Sequence, residues 1–262
     1  MQLRYATPAL VLGLLAFPVF SSPDSTTDRY HFGIETASVT DLSELGQGEM
    51  EHTVHLAGEL SVAFAEDGGI TIVLDTMTGS SEGQGQQVTE ETLASMIGTT
   101  WTAVLDDKGR LSDLQADSAS SQTATQLEGN LLRGMFPYIA PGASAGDTWA
   151  DTLSYSGSTA SGSQETTTYI EYTAIGDTTY HGMKAMAVEA VYTATATIYQ
   201  DAQGGLDIDG ISTGTGLLYI GSDGKYLGGV RKLESELEVS GPMIPAVIPV
   251  TANTTITLEL LR

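Results

Sequence analysis

The sequence predicts a mainly β protein with one or two helices, in which consecutive strands pair as antiparallel neighbours. Three observations predict this class. Apolar and polar residues alternate with period two over long stretches, glycine-containing turns separate those stretches, and helical spacing is confined to two short segments. Hydrophobic residues make up 41% of the chain, which is enough for a substantial core.

The N-terminus has the layout of a secretory signal peptide. Arg4 precedes an apolar run from Ala9 to Phe20, and the small residues Val19 and Ser21 favour cleavage just before Ser22. The run is shorter than the ~20 residues that span a bilayer. We therefore expect a signal peptide over 1–21, a single β-rich domain over 22–262 without a transmembrane span, and a periplasmic or extracellular location.

Alternation predicts the strands. The longest runs from Met183 to Tyr199, and its expected buried face is Met186, Val188, Ala190, Tyr192, Ala194, Ala196 and Ile198. Shorter strands are predicted around Val54–Phe64, Leu227–Val239 and Ile256–Leu260. In the third of these, Lys232, Glu234, Glu236 and Glu238 form a charged outer face.

Three tight turns are predicted between strands, at 66–69, 106–109 and 222–225. Each contains an Asp-Gly or a Lys-Gly pair. Glycine supplies the positive φ that tight hairpins need. These turns predict a meander. The Gly-, Ser- and Thr-rich stretch Ser154–Thr168 is interpreted as a loop or a hairpin tip.

Two segments have helical features. Thr89 is placed to cap a short helix that includes Glu90, Leu93 and Met96. The segment Ser121–Phe136 aligns Ala124, Leu127, Leu131 and Met135 on one stripe, which predicts an amphipathic helix that ends before Pro137.

The middle of the chain carries a resemblance. The strand–turn–strand Trp101–Leu114 is followed by the predicted helix, by Phe136-Pro137-Tyr-Ile-Ala-Pro141-Gly142, and by Gly146-Asp147-Thr148-Trp149. This order resembles a family of uncharacterised bacterial secreted β-rich proteins whose architecture looks like the open half-barrel of outer-membrane lipoprotein carriers. The resemblance implies a strongly curved antiparallel sheet wrapped around the amphipathic helix. The chain lacks the lipidated cysteine of many such proteins.

Charge and cysteine content exclude several classes. The chain has 33 acidic and 10 basic residues, a formal charge of −23, so phosphate backbones and anionic membranes repel it, and we expect no nucleic-acid partner. It has no cysteine, which rules out disulfides, thiolate metal sites and a cysteine nucleophile. The acidity is also what a soluble secreted protein needs, so it does not by itself indicate an acidic binding role.

No motif predicts catalysis, and we expect neither an enzyme nor a cofactor. The serines lack the Gly-x-Ser-x-Gly spacing of a nucleophile elbow. His52 and His55, three residues apart in a strand, face opposite ways and cannot clamp one metal. The one metal candidate is a calcium site at Asp201, Asp207 and Asp209, which lacks the glutamate of an EF-hand; the alternative is a glycine-rich loop between strands.

Two apolar loops bracketed by proline stand out, 135–141 and 242–250. Prolines keep such segments out of central strands, and apolar loops are buried or line a binding surface. The residues expected to line or gate an apolar cavity are Phe136, Tyr138, Ile139, Met186, Val188, Tyr192, Met243, Ile244 and Ile248.

The sequence therefore favours a non-catalytic protein that binds an apolar small molecule, a lipid or an acyl chain, in the concavity of its sheet. The alternative is a structural or protein-interaction module of the cell envelope with a filled core and a protein partner. An unfilled cavity discriminates in favour of the first, and a packed interior with an open sheet edge in favour of the second.

Overall fold

The computed structural model describes residues 27–84, 87–117, 131–159, 162–201 and 205–261. Its strands are β1 (Thr27–Asp41), β2 (Glu49–Phe64), β3 (Gly69–Gly83), β4 (Thr100–Leu105), β5 (Leu111–Ala116), β6 (Thr148–Thr159), β7 (Gly162–Tyr180), β8 (Met183–Gln200), β9 (Leu206–Gly221), β10 (Tyr226–Ser240) and β11 (Ile248–Leu261). The one described α-helix is α1 (Glu90–Met96), and 3₁₀ turns occupy Ser43–Leu45 and Leu132–Gly134. The predicted signal peptide lies outside these residues.

All the described strands belong to one antiparallel sheet of 11 strands, in the order β5-β4-β3-β2-β1-β11-β10-β9-β8-β7-β6. Two meanders, β1–β5 and β6–β11, meet where the first strand pairs with the last: Arg29 is opposite Leu261 and Thr40 is opposite Val250. The expected mainly antiparallel β architecture is confirmed. Since β5 and β6 occupy the two ends of the strand order, the hydrogen-bonded ladder stays open.

One face of the sheet, here called the inner face, carries the core. The buried side chains lie at one end of the strands, the end that carries the β4–β5 hairpin, which we call the filled half. The strand residues of this core include Phe32, Val62, Ile72, Leu74, Val188, Leu218 and Ile256. Leu93 and Met96 of α1 and Leu131, Leu132 and Met135 of the segment before β6 complete this cluster.

Local sequence signals are confirmed where they rest on turns and caps. Thr89 Oγ1 accepts the backbone N–H of Thr92 at 3.2 Å and starts α1 as predicted. The three predicted turns join β2 to β3, β4 to β5 and β9 to β10. Gly109, in the second of them, has a φ of 74°, which non-glycine residues rarely adopt.

Two segments predicted as loops are strands. Ser154–Thr159 and Gly162–Thr168 pair through β6 and β7, with Tyr155 opposite Thr166 and Thr159 opposite Gly162, so every described residue of this stretch belongs to the ladder. The threonines of this stretch favour a pleated strand, and this preference outweighs the tendency of its glycines to form turns. Ile248–Val250 begin β11, and Pro249 pairs with Glu238. Pro249 is tolerated because pairing with β1 starts only at Val250, so it has a strand neighbour on one side.

The predicted helix Ser121–Phe136 falls mainly on 118–130, outside the described residues. Its described end is a 3₁₀ turn at Leu132–Gly134. Leu131 and Met135, two members of the predicted apolar stripe, are buried in the core.

Candidate functional site

At the other end of the strands, away from the β4–β5 hairpin, the inner face carries no Asp, Glu, Lys or Arg at any described strand position. We call this the uncharged surface. Its members are Thr36, Ser38 and Thr40 of β1, Met50, His52 and Val54 of β2, Leu153 and Tyr155 of β6, Thr166 and Thr168 of β7, Ala194, Ala196 and Ile198 of β8, Ile208 and Ser212 of β9, Leu233, Ser235, Leu237 and Val239 of β10, and Ile248, Val250, Ala252 and Thr254 of β11.

The other face of the same strands is charged. Lys232, Glu234, Glu236 and Glu238 alternate with the inner residues of β10, as predicted. Exposure follows the same alternation: from Thr193 to Gln200 and from Lys232 to Val239, each outer residue is exposed and each inner one half-buried. The inner side chains are therefore partly shielded from solvent. No described element packs on this half of the inner face as α1 packs on β3.

Two pairs of hydroxyls on the uncharged surface lie within hydrogen-bond distance of each other. The hydroxyls of Ser212 and Ser235 lie 2.7 Å apart, and those of Thr36 and Thr254 lie 3.1 Å apart. Such pairs lower the cost of placing hydroxyls against an apolar partner. His52 Nε2 is buried and has no hydrogen-bond partner among the described residues.

Glycines let large side chains lie flat on this surface. A Cβ on Gly210 would overlap the Leu237 side chain, and one on Gly214 would overlap Leu233 and the Lys232 carbonyl. Leucines that lie along the sheet leave a smooth apolar surface rather than a ridge.

Three of the predicted lining residues belong to β8. Val188 and Tyr192 are buried in the core, and Met186 is half-buried against it. They lie on the predicted face of the strand, but they contact the filled half of the sheet. Burial raises the pKa of Tyr192, and the nearby Arg231 opposes that shift.

The loop 135–141 lies against the filled half. The Phe136 ring packs edge-on against Phe64 with ring centroids 6.1 Å apart, and Ile139 also packs against the core. The Tyr138 carbonyl accepts the indole N–H of Trp149 at 2.9 Å. These contacts fix the loop at the core.

The second apolar loop connects β10 to β11 at the opposite end of the strands. Met243 is 78% exposed, Ile244 is half-buried, and Ile248 pairs with Val239. Phe64, which contacts the first loop, is the last residue of the 16-residue β2. The first residues of β2 pair with the end of β1, which in turn pairs with the start of β11 beside the second loop. At ~3.3 Å per residue such a strand is about 50 Å long, so the two loops do not border one opening.

The calcium candidate is not assembled in the described residues. Asp207 and Asp209 lie on the outer face of β9, where Asp209 accepts the Thr197 hydroxyl at 2.9 Å. Asp201 accepts the Tyr199 hydroxyl at 3.5 Å, immediately before the undescribed residues 202–204. No group of three ligand-type side chains able to hold a metal occurs in the described part of the chain.

Two arginines reach the inner face, and sequence reasoning missed both. The Arg133 guanidinium carbon lies 4.1 Å from the ring centroid of Tyr155. Arg231 of β10 contacts Gly134, where a Cβ would overlap its guanidinium. Burial raises the pKa of Tyr226 and of Tyr172, and the charge of Arg231 opposes both shifts. The signal for Arg231 was available: it occupies an inner position in the alternation of β10.

A second charged cluster joins the β4–β5 hairpin to β6. Arg110 Nη1 lies 2.9 Å from Asp151 Oδ1, and Lys108 Nζ lies 3.3 Å from the same oxygen. Desolvation alone would lower the pKa of Arg110, but its hydrogen bonds to Asp106 and Asp151 outweigh this and raise it. A cavity of about 320 Å³ opens beside this cluster, lined also by Tyr169.

A larger groove of about 520 Å³ lies on the outer face around Gly33 and Ala57. Glu35 and His55 line it, with Glu35 Oε2 3.9 Å from His55 Nδ1. His52 and His55 thus face opposite sides of β2, as predicted. The groove lies over the small residues Gly33, Ala57 and Gly79, and its lining also includes Thr78, Ser80, Thr255 and Thr257.

No protein family and no curated protein matches the chain. Among the described residues, no helix has both the length and the apolar character that a membrane crossing requires.

Proposed function

We propose that the protein is non-catalytic and binds an apolar ligand, a lipid or an acyl chain, on the uncharged surface. The observation that carries this proposal is the segregation of charge across the sheet. A chain with 33 acidic residues keeps every described strand position of this surface free of charge, while Glu234, Glu236 and Glu238 occupy the other side of β10. Covering a charge with an acyl chain would cost several kcal/mol, so a surface built to meet apolar chains excludes it.

We propose also that the sheet is strongly curved, as an open half-barrel with the uncharged surface on its concave side. Two observations support this. The inner side chains are less exposed than their outer neighbours on the same strands, as expected where curvature brings them together. Arg110 and Asp151 connect opposite ends of the strand order. The buried Leu131, Leu132 and Met135 support the placement of the 121–136 helix inside the curve.

The affinity available from such a surface is adequate for a carrier. Each buried methylene contributes about 0.8 kcal/mol, so a chain of about ten methylenes contributes about 8 kcal/mol before entropic costs. This gross value corresponds to a Kd of about 1 μM, and ordering the ligand weakens it. Reversible binding is what a transport or storage role requires.

We place this activity outside the cytoplasm, in the periplasm or beyond the cell. The proposal rests on the signal-peptide pattern of the first 21 residues.

One observation favours the alternative of an envelope interaction module with a filled core. Half of the inner face is filled, with Leu131 and Leu132 fully buried. The outer face also exposes Tyr169, Val191 and Ile211, which a protein partner would cover. In this alternative the functional surface is the outer face.

A matched pair of substitutions separates the two functions. Leu237→Asp places a charge on the uncharged surface, and Ile211→Asp places one on the outer face of the neighbouring strand, where Ile211 is 57% exposed. Binding of the neutral apolar dye N-phenylnaphthylamine is followed by fluorescence. We expect saturable binding by the wild type and Ile211→Asp and loss of binding in Leu237→Asp. Equal binding by both variants would contradict the proposal, and Ala252→Asp repeats the test if Leu237→Asp does not fold.

A further inference from the structure

We propose that the outer face of β7–β10 docks a basic protein that presents lysine or arginine side chains around an apolar centre. The region meant comprises the outer residues of these strands between the level of Glu165 and that of Glu189, and we call it the acidic-rimmed surface. This inference does not rest on the proposed ligand binding, because it concerns the opposite face of the sheet.

Three exposed apolar side chains form the centre of this surface. Tyr169 is 44% exposed, Val191 is 50% exposed and Ile211 is 57% exposed. They belong to the adjacent strands β7, β8 and β9, and the register groups them around Thr193. Thr193 lies opposite Tyr169, and its outer neighbours along β8 are Val191 and Thr195, of which the latter lies opposite Ile211. Large apolar side chains that stay exposed beside one another are typical of a surface that a partner covers.

Threonines occupy the positions between these apolar residues. They are Thr193, Thr195, Thr213 and Thr215, and all four are exposed. A β-branched side chain is already restricted at χ1, so it loses little conformational freedom when a partner covers it. The centre of the surface is therefore uncharged and its side chains cost little to order.

Carboxylates surround this centre on three sides. The row on β10 follows one side, and other acidic residues stand at both ends of the strands. These carboxylates belong to Glu234, Glu236 and Glu238 on β10, to Glu171 and Glu189 at one end, and to Glu165 and Asp209 at the other. Of the described residues on this surface, only Lys232 is basic. An uncharged centre within a polar rim is the arrangement found in protein–protein interfaces.

The carboxylates of β10 are not neutralised within the described part of the protein. None of Glu234, Glu236 and Glu238 forms an ion pair with a described side chain. Alternate residues on one face of a strand are about 7 Å apart, which is less than the screening length of about 8 Å at physiological ionic strength. The three charges therefore repel one another, and a basic partner relieves that repulsion. This charge complementarity decides the class of partner.

The size of the surface predicts a transient complex. It extends about 26 Å along the strands and about 14 Å across them, an area of about 400 Å². Each partner in a stable complex buries about 800 Å². We therefore expect association that is fast, weak and strongly reduced by salt, because charge pairing rather than buried area supplies much of the attraction.

Three synthetic peptides of equal length test the partner class. One alternates Lys and Leu, the second alternates Lys and Ser, and the third alternates Glu and Leu. Binding of each labelled peptide is followed by fluorescence anisotropy. We expect the wild type to bind the Lys–Leu peptide at least about tenfold more tightly than the Lys–Ser peptide, because only the former covers the apolar centre. Like charge should prevent binding of the Glu–Leu peptide.

Two matched pairs of variants locate the contact. Ile211→Thr removes apolar area from the centre, and Ile97→Thr does so at a residue that is 46% exposed elsewhere. The rim variant combines Glu234→Gln, Glu236→Gln and Glu238→Gln. Its control makes the same change in net charge on the outer face of β1 and β2, with Glu35→Gln, Glu49→Gln and Glu51→Gln. Circular dichroism checks that each variant is folded.

Ile211→Thr and the rim variant should each weaken binding of the Lys–Leu peptide about tenfold, whereas both controls should stay within about threefold of the wild type. Equal weakening by the rim variant and its control would overturn the proposal, because net charge alone would then attract the peptide. Equal binding of the Lys–Leu and Lys–Ser peptides, or no binding of either, would also overturn it. Each of these results leaves ligand binding on the uncharged surface unaffected.

Discussion

Arg110 and Asp151 connect opposite ends of the strand order, with Arg110 Nη1 2.9 Å from Asp151 Oδ1 and 3.1 Å from Oδ2. Arg110 directly precedes β5, and Asp151 belongs to β6. These two strands are the edge strands of the sheet. The Asp151 side chain is 1% exposed. An inward-pointing charge is a recognised device against edge-to-edge association, and here the opposite edge of the same sheet neutralises it.

Asp151→Asn should destabilise the protein by about 3 kcal/mol, because it removes one partner of a buried ion pair and leaves Arg110 without full compensation. Urea unfolding measures the change. The matched control is Glu59→Gln, which breaks the exposed pair with Arg29 and should cost less than about 1 kcal/mol. If Asp151→Asn lowers the free energy of unfolding no more than the control does, the contact between the edge strands contributes little to the stability of the fold.

The same cluster predicts a dependence on acid. Burial alone would raise the pKa of Asp106, but hydrogen bonds from the Arg110 side chain and from the backbone of Arg110 and Lys108 outweigh it and lower the pKa. A carboxyl with a lowered pKa stabilises the folded state above its unfolded pKa of about 4. That stability is lost as the pH falls through the lowered value. We expect the unfolding free energy of Asp106→Asn to decline less between pH 5 and pH 2 than that of the wild type, and parallel declines would contradict this assignment.

Buried tyrosines predict a dependence on base. Desolvation raises the pKa of Tyr30, Tyr172 and Tyr226 well above the ordinary value of about 10. Their contribution to stability is complete below pH 10 and is lost as the pH rises through the raised values, because the unfolded chain releases these protons first. In a spectrophotometric titration, the three buried tyrosines should ionise only together with unfolding. Ionisation of all tyrosines in one step without loss of β-sheet circular dichroism would contradict their burial.

Leu132→Ala should cost about 2–5 kcal/mol, because Leu132 is fully buried and its truncation leaves a cavity. Ile97→Ala, at a residue that is 46% exposed just after α1, is the control and should cost less than about 1 kcal/mol. The comparison measures how firmly the segment before β6 belongs to the core. Similar small losses in the two variants would mean that this segment is only loosely packed against the core.

The sequence predicted what short-range signals determine. Alternation located β8 and β10, glycine turns located three hairpins, and Thr89 located the start of α1. It did not predict that β1 pairs with β11, because a meander offers no local signal for a contact between chain ends. The Arg110–Asp151 contact joins strands at the two ends of the strand order, for which the sequence likewise offers no local signal.

The candidate site was predicted only in part. The inner positions of β8 and β10 were assigned to the correct face. Val188 and Tyr192 nevertheless belong to the filled half, because alternation identifies the face of a strand but not the point along it at which the core ends. The apolar loops were recognised by their prolines, but strand register alone places them at opposite ends of β2. The contact of Arg133 with Tyr155 carries no sequence pattern, since the ring is contributed by β6.

Native mass spectrometry of the exported protein tests the central claim most directly. The protein is purified under gentle conditions from a host with a membrane, and its mass is compared before and after extraction with organic solvent. We predict an excess mass that extraction removes, that is absent from Leu237→Asp, and that proves to be a lipid or another molecule with an acyl chain. A clean mass that stays clean after incubation with mixed membrane lipids would contradict ligand binding on the uncharged surface.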